Sequence, residues 1–162
     1  MFKKYFIIIL VSFLFNAPTY SAGSGGDEDK PKISDFKKAS TMIKQGKKLE
    51  KKGKSEKAKK KYLKAIDYLV KANKQSPNNP DILNYLGYSH RKTGDFENAE
   101  VYYKLGLSID ANHIGINEYL GELYVQTGRI DKAKERLKIL ENCKCDEFNI
   151  LQNAISSGVS KY

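Results

Sequence analysis

A 34-residue period constrains this chain more than any other feature. Gly87 and Gly121 lie 34 apart, as do Leu86 and Leu120, Gly94 and Gly128, and Ala99 and Ala133. A fixed interval of this length marks a repeat architecture, in which no unit buries its apolar face alone and neighbours must stack. One unit, residues 80–113, reads PDILNYLGYSHRKTGDFENAEVYYKLGLSIDANH. Asn79, Pro80 and Asp81 open it as a helix start, a polar cap followed by proline where its missing N–H costs nothing. Leu83, Leu86, Gly87 and His90 then share one helical face. Gly94 ends that helix, since glycine adopts a left-handed backbone cheaply. Asp95 caps a second helix, on which Ala99, Tyr103 and Gly106 recur at helical spacing. Each unit is therefore two antiparallel helices, approaching closely at Gly87 and Ala99.

The same intervals recover an earlier unit. Gly46, Gly53, Ala58, Tyr62 and Ala65 are spaced as Gly87, Gly94, Ala99, Tyr103 and Gly106 are, but precede them by 41 residues. The seven extra residues are about two helical turns, and Ile66, Leu69, Val70 and Ala72 carry the stripe through them. This predicts a helix from Ser55 to Lys74 that projects beyond the stacked body. A third unit follows from Ile114. A last helix over 146–157, capped by Asp146 and striped by Phe148, Leu151, Ala154 and Ile155, covers the end of the stack. The units fall at about 39–79, 80–113 and 114–145, within a domain of 35–160.

Leu83, Leu86, Gly87, His90, Ala99 and Tyr103 follow the pattern W-x2-L-G-x2-Y, A-x3-F, P, as do Leu120, Gly121, Tyr124, Ala133 and Leu137. The chain thus resembles the tetratricopeptide repeat family. It departs in having no tryptophan, in Asn117 at the first large position of the third unit, and in Ala111 and Cys145 where the family has proline. The resemblance implies an all-α, right-handed solenoid of about three helix pairs plus a C-terminal capping helix. It also implies protein binding, and brings neither catalytic residue nor cofactor. The family's concave groove is lined by the first helix of each unit. By position, that groove takes Ile43, Lys47 and Glu50, then Asn84, Tyr88 and Arg91, then Glu118, Glu122 and Val125. It would run from basic to acidic, with Tyr88 near its middle. The lysine and asparagine set with which some members grip a C-terminal carboxylate is missing, so that ligand is not expected.

Residues 1–21 read as an export signal, with Lys3 and Lys4 before an apolar run from Tyr5 to Phe15 and cleavage expected after Ser21. An uncleaved anchor is the alternative, but the run is short of the roughly 20 residues that span a bilayer. A bacterial periplasmic or secreted location follows. Residues 22–34, with three glycines, a proline and the acidic Asp27-Glu28-Asp29, read as a disordered linker. The net charge of +10 is local. Residues 30–75 carry 17 lysines against four acids, whereas 76–162 carry 10 basic and 12 acidic residues. Lys51, Lys52, Lys59, Lys60 and Lys61 cluster along one side. They form either a solvated face or a site for an acidic partner. In an exported chain that partner is an acidic protein segment, anionic lipid or cell-wall polymer rather than nucleic acid.

Cys143 and Cys145 are the only cysteines. In an exported protein they suggest a disulfide, with two free thiols or a redox pair as open alternatives. They lack further ligands for a metal. His90 is expected in the core and His113 as a turn cap. Glu118 and Glu122, one turn apart, are expected to be solvated. No nucleophile–base pair or phosphate-binding loop is seen. The expected function is an interaction scaffold of the bacterial envelope, with no enzymatic activity. Anchoring to an anionic surface is the alternative, and thiol exchange through the two cysteines a third. Self-association is open too, because the first unit has no cap beyond the linker.

Overall fold

The computed structural model describes residues 34–160. The expected export signal and, apart from Ser34, the expected linker lie outside the described residues. Among these there are seven helices and no strand: α1 (Asp35–Glu50), α2 (Ser55–Gln75), α3 (Pro80–Thr93), α4 (Phe96–Ile109), α5 (Ile114–Gln126), α6 (Ile130–Leu140) and α7 (Asp146–Ser157). They stack as an α-solenoid. α1 packs on α2, α3 on α4 and α5 on α6; α2 then meets α3, α4 meets α5, and α7 closes on α5 and α6. No described helix is long and apolar enough to cross a membrane.

Local chemistry sets the boundaries. Asn79 Oδ1 accepts from Asp81 N at 2.9 Å and Pro80 stands at the start of α3. Gly94 leaves the helix at φ 88, and Asp95 Oδ1 accepts from Asn98 N to begin α4. His113 starts α5, its Nδ1 accepting from Ile116 N at 3.2 Å. Asp146 differs from expectation: it is the first residue of α7, and the cap position falls to Cys145, which makes no side-chain capping bond.

Two glycines let helices meet face to face. A Cβ at Gly46 would lie 2.6 Å from the Tyr62 ring, and one at Gly87 would lie 2.5 Å from the Tyr103 ring. Both tyrosines are fully buried. In the third pair Gly121 is filled by Leu151 of α7 instead of by α6, and Leu151 is itself fully buried. The capping helix therefore takes the place that a tyrosine of the second helix holds elsewhere.

The long α2 does not project. Leu69 and Ala72, on its two extra turns, are buried in one cluster with Ala39, Ile43 and the partly buried Phe36 of α1. Gln75 Nε2 donates to Asp35 Oδ2 at 3.3 Å, tying the end of α2 to the start of α1. The reason is that α1 is lengthened too. It begins at Asp35, a turn before the unit boundary expected at 39, and so covers the added length.

Candidate partner-binding face

The first helices, α1, α3 and α5, bring together the residues expected to line a groove, but they do so as a packed polar cluster. Arg91 on α3 reaches Glu122 on α5, with Nη1 and Nη2 donating to Oε2 at 3.2 and 3.1 Å. Arg91 Nη1 also donates to Gln126 Oε1 at 3.4 Å. Arg91 is 3% exposed and Glu122 0%. Burial works against the Arg91 charge, but the facing Tyr103 and Glu122 more than restore it and hold its pKa above the ordinary value. Glu118 is buried as well, so the expectation of a solvated carboxylate pair is wrong. The cause is tertiary: α3 lies across that turn of α5 and supplies a guanidinium.

Lys47 of α1, half-buried, places Nζ 4.6 Å from the Tyr88 ring centroid and 6.0 Å from that of Tyr119. Burial pushes its pKa down, against the pull of Glu118. Tyr88 and Tyr119 have centroids 5.1 Å apart, and Arg91 lies 5.8 Å from the Tyr119 centroid. A cation near an aromatic face is held by the ring quadrupole. Tyr88 is itself buried, and burial raises its phenol pKa well above the ordinary value, with Tyr62 adding to it. Further along, the rings of Phe36 and Tyr85 lie 5.6 Å apart, each half-buried. Beyond Gly158, Ser160 Oγ donates to Glu122 Oε2 at 3.0 Å, so the C-terminal tail reaches this face.

Other expected groove residues have structural duties. Glu50 accepts from Tyr62 OH at 2.8 Å and pairs with Lys92 at 2.7 Å, joining α1, α2 and α3. Asn84 is buried where α3 approaches Gly115. Ile43 and Val125 are core residues. Asn117 replaces the family's tryptophan without exposing a polar group, since its amide donates to Ala111 O and His113 O. His90 is half-buried instead of in the core, stacked on Tyr102 with centroids 5.2 Å apart and joined to Asp95 at 2.9 Å. Cys143 and Cys145 are joined as a disulfide at the turn into α7. Lys51, Lys52, Lys59 and Lys60 are exposed and Lys61 is half-buried.

Tyr119, Tyr85, Gln126 and Ser160 were not anticipated at this face. Tyr85 and Tyr119 are 34 apart, so the period held the signal for that pair. No local pattern announces Ser160. Among the described residues, no group of three or more histidine, cysteine, aspartate or glutamate side chains could hold a metal ion.

Helix pairs stacked with their first helices side by side define a repeat solenoid. Residues 90–144 match the model of the tetratricopeptide repeat. No curated protein sequence matches it. Solved structures share the fold. The first such domain of Spaghetti (RPAP3), bound to the HSP90 peptide SRMEEVD, is 23% identical with a TM-score of 0.55, over 77% of this chain and 96% of that one. The first domain of human RPAP3 is 21% identical with a TM-score of 0.53, over 77% and 98%. The translocator chaperone SycD of Yersinia enterocolitica type III secretion is 14% identical with a TM-score of 0.54, over 74% and 81%. Proteins of this family serve as interaction scaffolds, typically without enzymatic activity.

Proposed function

We propose that this protein is an adaptor of the bacterial cell envelope that holds a partner protein or peptide on the α1–α3–α5 face. The cation–aromatic cluster of Lys47, Arg91, Tyr88 and Tyr119 carries this reading. Aromatic and arginine anchors are what peptide interfaces rely on. The lysine-rich first unit beside it favours an acidic segment through long-range attraction. The peptide bound by the Spaghetti domain is itself acidic, which supports that charge preference. Lys3, Lys4 and the apolar run to Phe15 support the envelope location.

The test is affinity capture by the mature chain from envelope extract at low and high salt, beside a Tyr119→Ala, Lys47→Ala variant. A protein retained in high salt and lost in the variant is the expected result. Equal capture by both chains would sink the reading. A second reading rests on the outer side of α2, where Leu63 is 49% exposed among the exposed Lys59, Lys60 and Lys64. This surface suits anionic lipid or cell-wall polymer. In that case anionic vesicles bind both chains alike and salt releases them.

A further inference from the structure

The turn between α6 and α7 holds a reactive group that the binding face does not use. Cys143 and Cys145 are bonded across a single residue, with their Cα atoms 5.2 Å apart. Lys144, the residue between them, stands at φ 51, a left-handed conformation that residues with a side chain seldom adopt. Both cysteines are half-buried, in a turn whose Glu141, Asn142, Lys144 and Asp146 are exposed. Cys145 is also the N-cap of α7, where it makes no side-chain capping bond. At that position a side-chain acceptor normally takes an N–H of the first turn. The bond to Cys143 engages the sulfur that could do so. Released as a thiolate, Cys145 gains the N–H donors of Glu147 and Phe148 and the positive end of the helix. The Lys144 charge adds to this. The Glu141, Asp146 and Glu147 charges oppose it, but Glu141 and Asp146 are exposed and screened by solvent. α7 stays seated without the bond, through the buried Leu151 and Ala154.

We propose that Cys143–Cys145 is a redox-active disulfide that takes electrons from a dithiol of a second protein, an activity separate from partner binding on the α1–α3–α5 face. A thiolate of that dithiol attacks Cys143 Sγ. The Cys143–Cys145 bond breaks, a mixed disulfide forms, and Cys145 leaves as the thiolate held by the start of α7. The sulfur that is more stable as an anion leaves faster, which directs the attack to Cys143. The second thiolate of the dithiol then attacks the dithiol's own sulfur in the mixed disulfide. A new disulfide forms there and Cys143 leaves. The two protons of the dithiol pass to Cys143 and Cys145 or to water. Two electrons have moved, so the dithiol is oxidised and the cysteine pair is reduced.

The test uses the purified full chain in its oxidised form. Mixed with a reduced peptide that carries two cysteines, it is expected to yield one peptide disulfide per chain and two new protein thiols, counted by alkylation and mass. In millimolar reduced glutathione most of the chain is expected in the reduced form, whereas structural disulfides resist the glutathione pool. A bond that stays closed in glutathione and leaves the peptide reduced is a structural pin and overturns the proposal. A second measurement tests the part played by α7. At neutral pH, iodoacetamide is expected to modify Cys145 in Cys143→Ser about tenfold faster than Cys143 in Cys145→Ser. Equal rates, or the reverse order, mean that the helix does not hold the leaving sulfur, and they overturn the proposal too. Should either variant fail to fold by circular dichroism, the reduced full chain gives the same comparison, with the modified cysteine located by fragment mass.

Discussion

At Gly87 a methyl group would meet the Tyr103 ring at 2.5 Å, with no empty space to receive it. Gly87→Ala is therefore expected to destabilise by about 1–3 kcal/mol, the usual range for overpacking a filled core, despite alanine's better helix propensity. Urea unfolding measures it, and an unchanged midpoint would show that the ring moves aside freely. Arg91 and Glu122 present a different case. Removing one member of a buried ion pair strands the other, so Glu122→Ala is expected to cost about 3–5 kcal/mol. Thermal melting of Glu122→Ala beside Glu122→Gln checks this, the amide being the milder change. Both effects depend on a neighbour that a single helix does not show. The small residue at 87 was legible from the period, whereas the guanidinium facing Glu122 comes from 31 residues earlier in the chain.

Between elements, the joints are polar and pH-sensitive. Glu100 of α4 takes Arg129 at 2.6 Å and Lys104 at 2.7 Å, linking α4 to the turn before α6. Burial works against its ionisation, but the hydrogen bonds from Lys104 and Arg129 outweigh it and hold the pKa below the ordinary 4.5. Asp95 is lowered chiefly by its hydrogen bond from Asn98, with His90 adding to it. A carboxylate with a depressed folded pKa stabilises fully above its unfolded value and loses that contribution as pH falls through the folded one. Stability is thus expected to decline below about pH 4, and Glu100→Gln to make that acid limb shallower in denaturant titrations across pH. The joint between α6 and α7 behaves otherwise. Its disulfide spans two positions, and so short a loop constrains the unfolded chain by only about 1–2 kcal/mol. α7 is also held by the buried Leu151 and Ala154. Reduction is expected to lower Tm by a few degrees while α7 stays docked, as hydrogen exchange of its amides would show.

For the whole molecule, charge and fold are separate matters. The exposed lysines of the first unit add little to the core, so reversing Lys51, Lys52, Lys59 and Lys60 to glutamate is expected to change stability by under about 0.5 kcal/mol per site. Affinity for an acidic partner or anionic vesicle should fall on the order of tenfold at low salt. The loss should shrink at high ionic strength, where separated surface charges are screened. Salt-independent loss would instead place those lysines in close contact with the partner.

Spacing in the sequence by itself determined the helix pairs, the tight contact at Gly87, and the apolar stripe of the last helix. These follow from spacing along one helix and between neighbouring helices. Tertiary structure alone decided that α1 lengthens to cover α2, that Leu151 fills Gly121, and that Glu118 and Glu122 are buried. The tail's arrival at Glu122 is of the same kind. The physical reason is common to all four: whether a side chain is solvated, packed or paired depends on which distant segment lies across it, and no local periodicity carries that information.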